Sequence, residues 1–158
     1  MAKKIIAIVK KSHEEDMRTQ RKDMFHWLRS MGYKLQEVKW LESPCSNIDK
    51  PFMVFNDIKK VCLENEIKAV AVWDFHRLCS NYYLLPVEML IIKDFLVQYK
   101  VQLYVKQPNV ILLDENNNLS KNASVTFAAL SMIQAQVLQT YTSKIHKQPN
   151  DNRTERQS

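Results

Sequence analysis

The sequence predicts an α/β fold with a mainly parallel central sheet of four to five strands, flanked by helices and ending in a long C-terminal helix. Short apolar runs rich in isoleucine and valine alternate along the chain with longer stretches whose apolar residues recur at helical spacing. Strands that alternate with helices are typical of a parallel sheet. The 158 residues, of which 46% are hydrophobic, are enough for one domain with a buried core.

The first predicted strand covers residues 3–10, an apolar run with lysines at both ends. The helix that follows carries apolar residues on one face and charges on the other. Ser12 and Glu15 have the spacing of a capping box at its start, and Gly32 stands where a left-handed residue ends a helix. We therefore expect the first helix to begin near Ser12 and to end just before Gly32.

The middle of the chain continues the same alternation. Residues 34–41 alternate apolar and polar side chains, which predicts a second, partly exposed strand. Pro51 occupies the first position of the next predicted helix. Residues 67–75 are the most apolar run and predict the third strand, and Pro86 lies in the first turn of the helix after it.

The last part of the chain adds a strand, a loop and the long helix. Residues 101–107 predict a fourth strand, and the loop after it contains a short apolar segment suited to an edge strand. Residues 121–146 predict the long helix, whose few polar positions require cover on more than one face. For its second face we favour a subunit interface over burial inside a monomer. Residues 147–158 are polar and without periodicity, so we expect a disordered tail outside a domain of residues 1–146.

Composition excludes several classes of site and partner. A formal net charge of +6 favours a polyanionic partner, most simply nucleic acid. Three widely spaced cysteines argue against a disulfide framework and a zinc site, and no metal is expected. Free thiols, with no signal peptide and no membrane-spanning run, predict a cytoplasmic protein without a membrane partner. Gly32 is the single glycine, so glycine-rich phosphate-binding loops and dinucleotide-binding motifs are excluded, and any phosphate has to be bound by side chains.

Reactive side chains follow two of the predicted strands. Lys10, Lys11 and Ser12 come at the end of the first strand, and His76 and Arg77 follow the third. Sites in parallel sheets form beyond the carboxyl ends of the strands, and short right-handed connections are expected to make these two ends neighbours. Cations such as Lys11 beside a serine hydroxyl suit the binding of DNA phosphate and attack on a phosphodiester. Alternatively, Ser12 only caps the helix.

These motifs resemble those of the serine recombinases, the resolvase/invertase catalytic domains. A strand followed by a basic residue, one further residue and a serine resembles the opening motif of the family, with Lys10 and Ser12 in those places. Gln20 in the next helix is similar to a family glutamine, one residue nearer the serine. The Asp-Lys-Pro of residues 49–51 is similar to the family's Asp-Arg-Pro. The stretch "VAVWDFHRLCS" at 70–80 resembles an apolar strand followed by Asp-Arg-Leu-Ser-Arg.

The resemblance implies a reaction and roles for individual residues. Family members attack a DNA phosphodiester with the serine, form a covalent protein–DNA link and rejoin the strands within a tetramer, without metal or nucleotide cofactor. Ser12 would be the nucleophile and Arg77 the main phosphate clamp. Lys10 and Lys50 would be weaker clamps, and Gln20 would orient groups near the serine. The long helix resembles the dimerisation helix of the family, which implies a homo-oligomer, a dimer or a tetramer.

The sequence departs from the family pattern at several of these positions. Lysine at Lys10 and Lys50 keeps the charge but loses the planar fork that matches phosphate oxygens. His76 stands where the family has an aspartate and could act as a general acid or base. Ser80 replaces an arginine, and the usual Glu-Arg pair of the long helix falls on Val and Leu at 137–138. These changes predict a weakened active site.

Three functions are compatible with these observations. The first is a site-specific recombinase-like protein that cleaves and exchanges DNA strands with a weakened serine site. The second is a catalytically inactive relative that acts in recombination as a dimerisation or regulatory module, pairing with its own kind or with a full-length recombinase. The third is a small α/β enzyme or nucleotide binder, against which the single glycine argues. We expect no DNA-binding domain after residue 146, and therefore only phosphate contacts, which do not specify sequence.

Overall fold

The central sheet contains five strands in the order β2–β1–β3–β4–β5. The structure is a computed structural model, and it describes residues 3–43, 52–78, 85–133, 136, 139 and 140. The strands are β1 (Ile5–Lys10), β2 (Val38–Ser43), β3 (Ala69–Val72), β4 (Gln102–Val105) and β5 (Val110–Ile111). The first four strands are parallel, and β5 pairs antiparallel with β4 at the edge. The predicted α/β class, the mainly parallel sheet and the edge strand are confirmed.

Helices cover the two faces of the sheet unequally. They are α1 (Glu14–Ser30), α2 (Met53–Asn65), α3 (Leu85–Gln98) and α4, which comprises residues 121–133. One face packs against α2, α3 and α4 in a large apolar cluster that includes the fully buried Ile8, Ile58 and Leu96. The other face packs against α1 in a smaller cluster that includes Met24 and Leu28. Successive residues of a strand point to opposite faces, so each central strand contributes to both clusters.

Small residues line the side of the sheet that α1 covers. Ala7 and Ala71 occupy the two central strands in the cluster that contains Met24. Their short side chains leave room for α1 above the centre of the sheet, and larger side chains such as Trp27 and Trp73 pack around them. Trp27 of α1 packs edge-to-face on Trp73, with ring centroids 6.2 Å apart. Both tryptophans are partly buried and pack against the cluster under α1.

The start of α1 and the start of β2 differ from the sequence predictions. The predicted capping box is wrong: α1 begins at Glu14 after His13, and no side chain caps the helix. Ser12 instead lies in the connection between β1 and α1, where its hydroxyl contacts its neighbour. The second strand begins later than residues 34–41 indicated. There the Glu37 carboxylate accepts the Lys34 N–H at 2.8 Å, which closes a 3-10 turn before β2.

Two helix ends use the same left-handed geometry with different residues. Gly32 has φ +93° after α1, and the N–H groups of Gly32 and Tyr33 donate to the carbonyls of Arg29 and Leu28 at 3.0 and 3.1 Å. The predicted glycine cap is therefore confirmed, in the form of a Schellman motif. Lys100 has φ +56° after α3 and occupies the equivalent position. Its place was not predictable, because lysine carries no signal for a left-handed backbone.

The chain folds back on itself after β5. The N–H of Ser120 donates to the carbonyl of Leu112 at 2.8 Å, and Leu119 forms an antiparallel bridge with Leu113. The Gln102 side chain holds the same segment, because its amide accepts the Leu113 N–H at 2.8 Å and donates to the Leu113 carbonyl at 2.9 Å. The segment after β5 is thus fixed to the edge of the sheet by both backbone and side-chain hydrogen bonds.

The first part of the predicted long helix is present as α4. Ala123 and Phe127 are buried against the large cluster, whereas Val125, Met132 and Ile133 are exposed by 67%, 70% and 47%. Most of the predicted helix beyond residue 133, with the positions at 137–138 and the tail, lies outside the described residues. Within the described chain, no helix is both long and apolar enough to cross a membrane.

Candidate active site

The carboxyl ends of β1 and β3 bring two groups of predicted site residues together. These strands are direct parallel neighbours in the sheet. Lys10 ends β1, and the 3-10 turn Phe75–Leu78, which contains His76 and Arg77, follows β3. The expectation that the two strand ends are neighbours is therefore confirmed. The candidate site therefore lies at the edge of the sheet where these two strands end.

The Gln20 side chain joins β1, α1 and Arg77. Its Oε1 accepts the Lys10 backbone N–H at 2.9 Å and the Arg77 Nε–H at 3.3 Å. Its Nε2 donates to the Lys10 carbonyl at 3.0 Å and to Asp16 Oδ2 at 2.9 Å. A primary amide has two donor hydrogens and two acceptor lone pairs, so these four bonds use its full capacity. Gln20 is thus a structural link between the strand end, the helix and the arginine.

The geometry of β1 explains why a glutamine is needed at this place. Lys10 pairs with Ser43 of β2 on one side, whereas the paired residues of β3 end at Val72. The N–H and carbonyl of Lys10 that point toward β3 would have no strand partner there. Buried backbone groups require a partner, and the amide of Gln20 supplies the same donor and acceptor as a peptide unit. Sequence reasoning predicted Gln20 from the family motif alone and did not anticipate this contact.

Arg77 is held by a second residue, Asp74. The two carboxylate oxygens of Asp74 accept the Arg77 backbone N–H, at 3.3 Å, and the Nη1 of its guanidinium. The Arg77 side chain is only 21% exposed. Its positive charge is therefore partly buried, oriented by Gln20 and Asp74, and located beyond the end of β3. His76 lies beside it with its Nδ1 4.0 Å from the Asp74 carboxylate and is half exposed.

Ser12 lies close to a carboxylate and an imidazole. Its Oγ is 3.2 Å from Nδ1 of the neighbouring His13. Its hydroxyl is also the largest influence that lowers the pKa of Asp16, followed by the hydrogen bond from Gln20. Desolvation opposes this lowering, and the positive charge of Arg77 reinforces it. Asp16 therefore connects the serine to the group formed by Gln20 and Arg77.

Asp16 was missed by the sequence analysis. A signal existed, because Asp16 lies four residues after Ser12 and four before Gln20. Residues four apart on a helix share a face. Three acidic residues occupy the first turn of α1, so residue type alone does not distinguish Asp16 from Glu14 and Glu15. Tertiary contacts to Ser12 and Gln20 distinguish it from its neighbours.

The serine and the arginine open onto different hollows of the surface. Arg77, Gln20 and Asp16 line a cavity of about 220 Å³ whose floor includes Trp73. Ser12 lines a separate hollow of about 360 Å³, on the other side of α1, together with residues such as Arg21. The structure thus joins the Lys10 backbone, the Gln20 amide and the Arg77 guanidinium into one hydrogen-bonded group and places Ser12 at its margin.

The two other lysines that the sequence predicts to bind phosphate are Lys11 and Lys50. Lys11 is exposed, and its backbone N–H donates to the Ser43 carbonyl at 2.7 Å, which extends the β1–β2 pairing by one residue. Lys50 lies outside the described residues. Among the residues that the structure describes, no three His, Cys, Asp or Glu side chains are grouped as metal ligands would be. Cys62 is buried, and burial raises the pKa of its thiol to about 11, so it is unsuited to act as a nucleophile.

Comparison with known proteins shows which fold this is. No protein-family model and no curated protein matches the chain. The N-terminal catalytic domain of the TP901-1 integrase is similar, with 14% identity and a TM-score of 0.61, over 87% of this chain and 98% of that one. A resolvase-family site-specific recombinase from Streptococcus pneumoniae is also similar, with 13% identity and a TM-score of 0.63, over 98% and 99% of the two chains. The chain has the fold of a serine recombinase catalytic domain, as its motifs predicted.

Proposed function

We propose that this protein is a recombinase-like protein that cleaves and exchanges DNA strands with Ser12 as the nucleophile. The observation that carries the proposal is the hydrogen-bonded group in which Gln20 joins the Lys10 backbone to the Arg77 guanidinium, with Ser12 at its margin, on the fold of a recombinase catalytic domain. Independent sequence motifs contribute each of these residues. Arg77 lies at the sheet edge where Lys10 ends β1 and Ser12 follows it, and this edge is where a phosphate site built from side chains would form.

The proposed chemistry is transfer of a DNA phosphoryl group to serine. Attack by Ser12 Oγ on phosphorus forms the Oγ–P bond and breaks the P–O bond to the leaving deoxyribose oxygen, which takes up a proton from solvent, while the acceptor of the serine proton returns that proton to solvent. The serine proton passes to a neighbouring acceptor, for which the Asp16 carboxylate and the His13 imidazole are within reach. The partly buried charge of Arg77 would stabilise the negative charge on the phosphoryl oxygens, and Lys10 would add a weaker contribution.

The proposed partners are DNA and further copies of the same chain. A net charge of +6 attracts the phosphate backbone of DNA without reading its sequence. On α4, the exposed Val125, Met132 and Ile133 favour contact with a second chain, because an exposed apolar stripe of this kind is unfavourable in water. We propose a dimer through this helix, which could pair further into a tetramer.

Trapping of a covalent intermediate tests the catalytic proposal. The protein is incubated with a panel of nicked DNA duplexes, and adducts are separated on denaturing gels. We expect a protein–DNA adduct with the parent and none with Ser12→Ala, while the matched variant Ser30→Ala, at the far end of α1, forms as much adduct as the parent. If the parent and Ser12→Ala are equally unable to form an adduct with every duplex, the catalytic proposal is wrong.

A second function is favoured by the separation of the two hollows. Because Ser12 and Arg77 line different cavities, an inactive relative that pairs with other chains is also compatible with the geometry. In that case α4 carries the function, alone or with a full-length recombinase. Light scattering of the parent and of Met132→Glu tests the pairing through α4 on which this second function depends, whereas the adduct experiment tests catalysis. A parent that stays monomeric at all concentrations contradicts this second function, whereas a dimer lost in Met132→Glu supports it.

A further inference from the structure

Asp74 contacts Arg77 in two ways, and neither contact has a role in the proposed reaction described above. It stands between Trp73 and the 3-10 turn that contains Arg77. One carboxylate oxygen accepts the backbone N–H of Arg77 at 3.3 Å, as the first residue of a turn commonly does. The other oxygen accepts from Nη1 of the same arginine. A single side chain thus fixes both the backbone and the guanidinium of Arg77.

We propose that Asp74 is a positioning residue that orients the Arg77 guanidinium for phosphate, an inference that rests on the proposed function. The guanidinium is held at two of its nitrogens, Nε by Gln20 and Nη1 by Asp74. In the described part of the chain its hydrogen bonds use these two nitrogens, which leaves the Nη2 edge to face a phosphate oxygen. An arginine side chain has several rotatable bonds, and fixing them before substrate binds is worth a large factor in rate.

The charges of Asp74 and Arg77 indicate that Asp74 orients the guanidinium and does not help to attract a phosphate. A carboxylate beside Arg77 lowers the local positive charge and so weakens the pull on a distant phosphate. The carboxylate has to contribute something else, and a charge-assisted hydrogen bond to a side chain that is only 21% exposed contributes a fixed geometry. His76 stands where the resemblance expected an acidic residue, and Asp74 supplies a carboxylate three residues before the arginine. The acidic group missing from the motif is therefore present, at a different position.

Two substitutions separate this role from simple capping of the turn. Asp74→Ser keeps an oxygen that can cap the Arg77 N–H but is too short to reach the guanidinium. Asp74→Asn keeps the size and the cap but removes the charge. Asp23→Ser is the matched control, because Asp23 lines the same cavity in a different position. If Asp74 only caps the turn, all of these variants should behave like the parent.

Adduct formation with nicked DNA measures the catalytic consequence. We expect Asp74→Ser and Asp74→Asn to form adduct about tenfold to a hundredfold more slowly than the parent, because Arg77 is misplaced. In an Arg77→Lys background, Asp74→Ser should cause little further loss, since a positioning residue acts through the arginine. A full additional loss in that background would contradict the inference.

Nitrogen-15 NMR of the Arg77 guanidinium tests the inference without catalysis. In the parent, the contact at Nη1 should slow rotation about the Nε–Cζ bond, so that Nη1 and Nη2 give separate resonances, which Arg77→Lys identifies by their loss. The two resonances should merge in Asp74→Ser and stay separate in Asp23→Ser. Separate resonances in folded Asp74→Ser overturn the inference. If the parent forms no adduct and yet the resonances merge, the proposed function fails and the orientation of Arg77 by Asp74 stands.

Discussion

The two faces of the central sheet are built in different ways, and the candidate site belongs to the thinner one. Three helices cover one face with large aliphatic and aromatic side chains. A single helix, α1, covers the other face, above alanines such as Ala7 and Ala71. On this side, hydrogen bonds from the Gln20 amide connect α1 to the end of β1, whereas apolar packing connects helices to the sheet on the opposite side. We call the face covered by three helices the thick face and the face covered by α1 alone the thin face. The difference indicates that the thick face supplies most of the stability, whereas the thin face accommodates polar groups and the open cavity of the candidate site.

Truncation of one core residue on each face tests this division directly. Leu96→Ala, on the thick face, should lower the free energy of unfolding by about 3–5 kcal/mol, because it leaves a closed cavity. Met24→Ala, on the thin face, should lower it by about 2–3 kcal/mol, because Met24 already lines the open hollow and water can enter the space. Urea denaturation of both variants measures the difference. Equal losses of unfolding free energy in the two variants would show that both faces contribute equally to stability.

Removal of the Gln20 amide tests whether polar bonds hold the thin face. Gln20→Ala should lower the free energy of unfolding by about 1–2 kcal/mol, because the Lys10 backbone groups lose their partner. Gln36→Ala, at an exposed position of the turn before β2, is the matched control and should have almost no effect. The same urea denaturation experiment serves for both. A Gln20→Ala protein as stable as the control would mean that the amide contributes no net stability.

The helix ends offer a smaller test in the opposite direction. The helix on the thin face ends in Gly32, whereas α3 on the thick face ends in Lys100 with a similar left-handed backbone. Lys100→Gly should therefore raise the free energy of unfolding by about 0.5–1 kcal/mol, since glycine adopts this conformation without steric strain. Thermal and urea denaturation measure the gain. A loss of stability would show that the lysine side chain makes contacts that outweigh the strain.

The smallest expected effect is a pH dependence at the first turn of α1. The hydroxyl of Ser12 and the amide of Gln20 hold the pKa of Asp16 below its usual 3.8. A lowered carboxyl pKa contributes stability that is present above the unfolded value and is lost as the pH falls through the folded value. The parent should therefore lose slightly more stability than Asp16→Asn as the pH falls from about 5 to 3. Asp23→Asn is the control, and identical acid profiles of parent and Asp16→Asn would contradict the assigned bonds.

The order of strands and helices was predictable because it depends on local periodicity. The apolar runs at β1 and β3 and the amphipathic pattern of α1 carry their own signal, so the fold class followed from the chain alone. Lys10, Gln20 and Arg77 were predicted from motifs, and the fold brings them together. Their roles in catalysis stay predictions.

The partners of these residues were not predictable in the same way. Asp16 and Asp74 gain their significance from which side chains face them across the sheet edge and the helix, and this depends on tertiary placement. The capping box failed for a related reason. Ser12 and Glu15 have suitable spacing, yet α1 starts at Glu14 after His13, and Ser12 turns toward other partners. Spacing along the chain indicates which contacts are possible but does not choose among them.

The returning segment after β5 has a consequence for how copies of this protein can associate. An exposed sheet edge is a template on which another chain can add a strand, and such growth leads to aggregation. Here Ser120 bonds to the carbonyl of Leu112, and Gln102 binds both backbone groups of Leu113. Addition of a foreign strand beyond β5 would first require this segment to detach. Edge-to-edge joining of two sheets is thus disfavoured at the β5 edge.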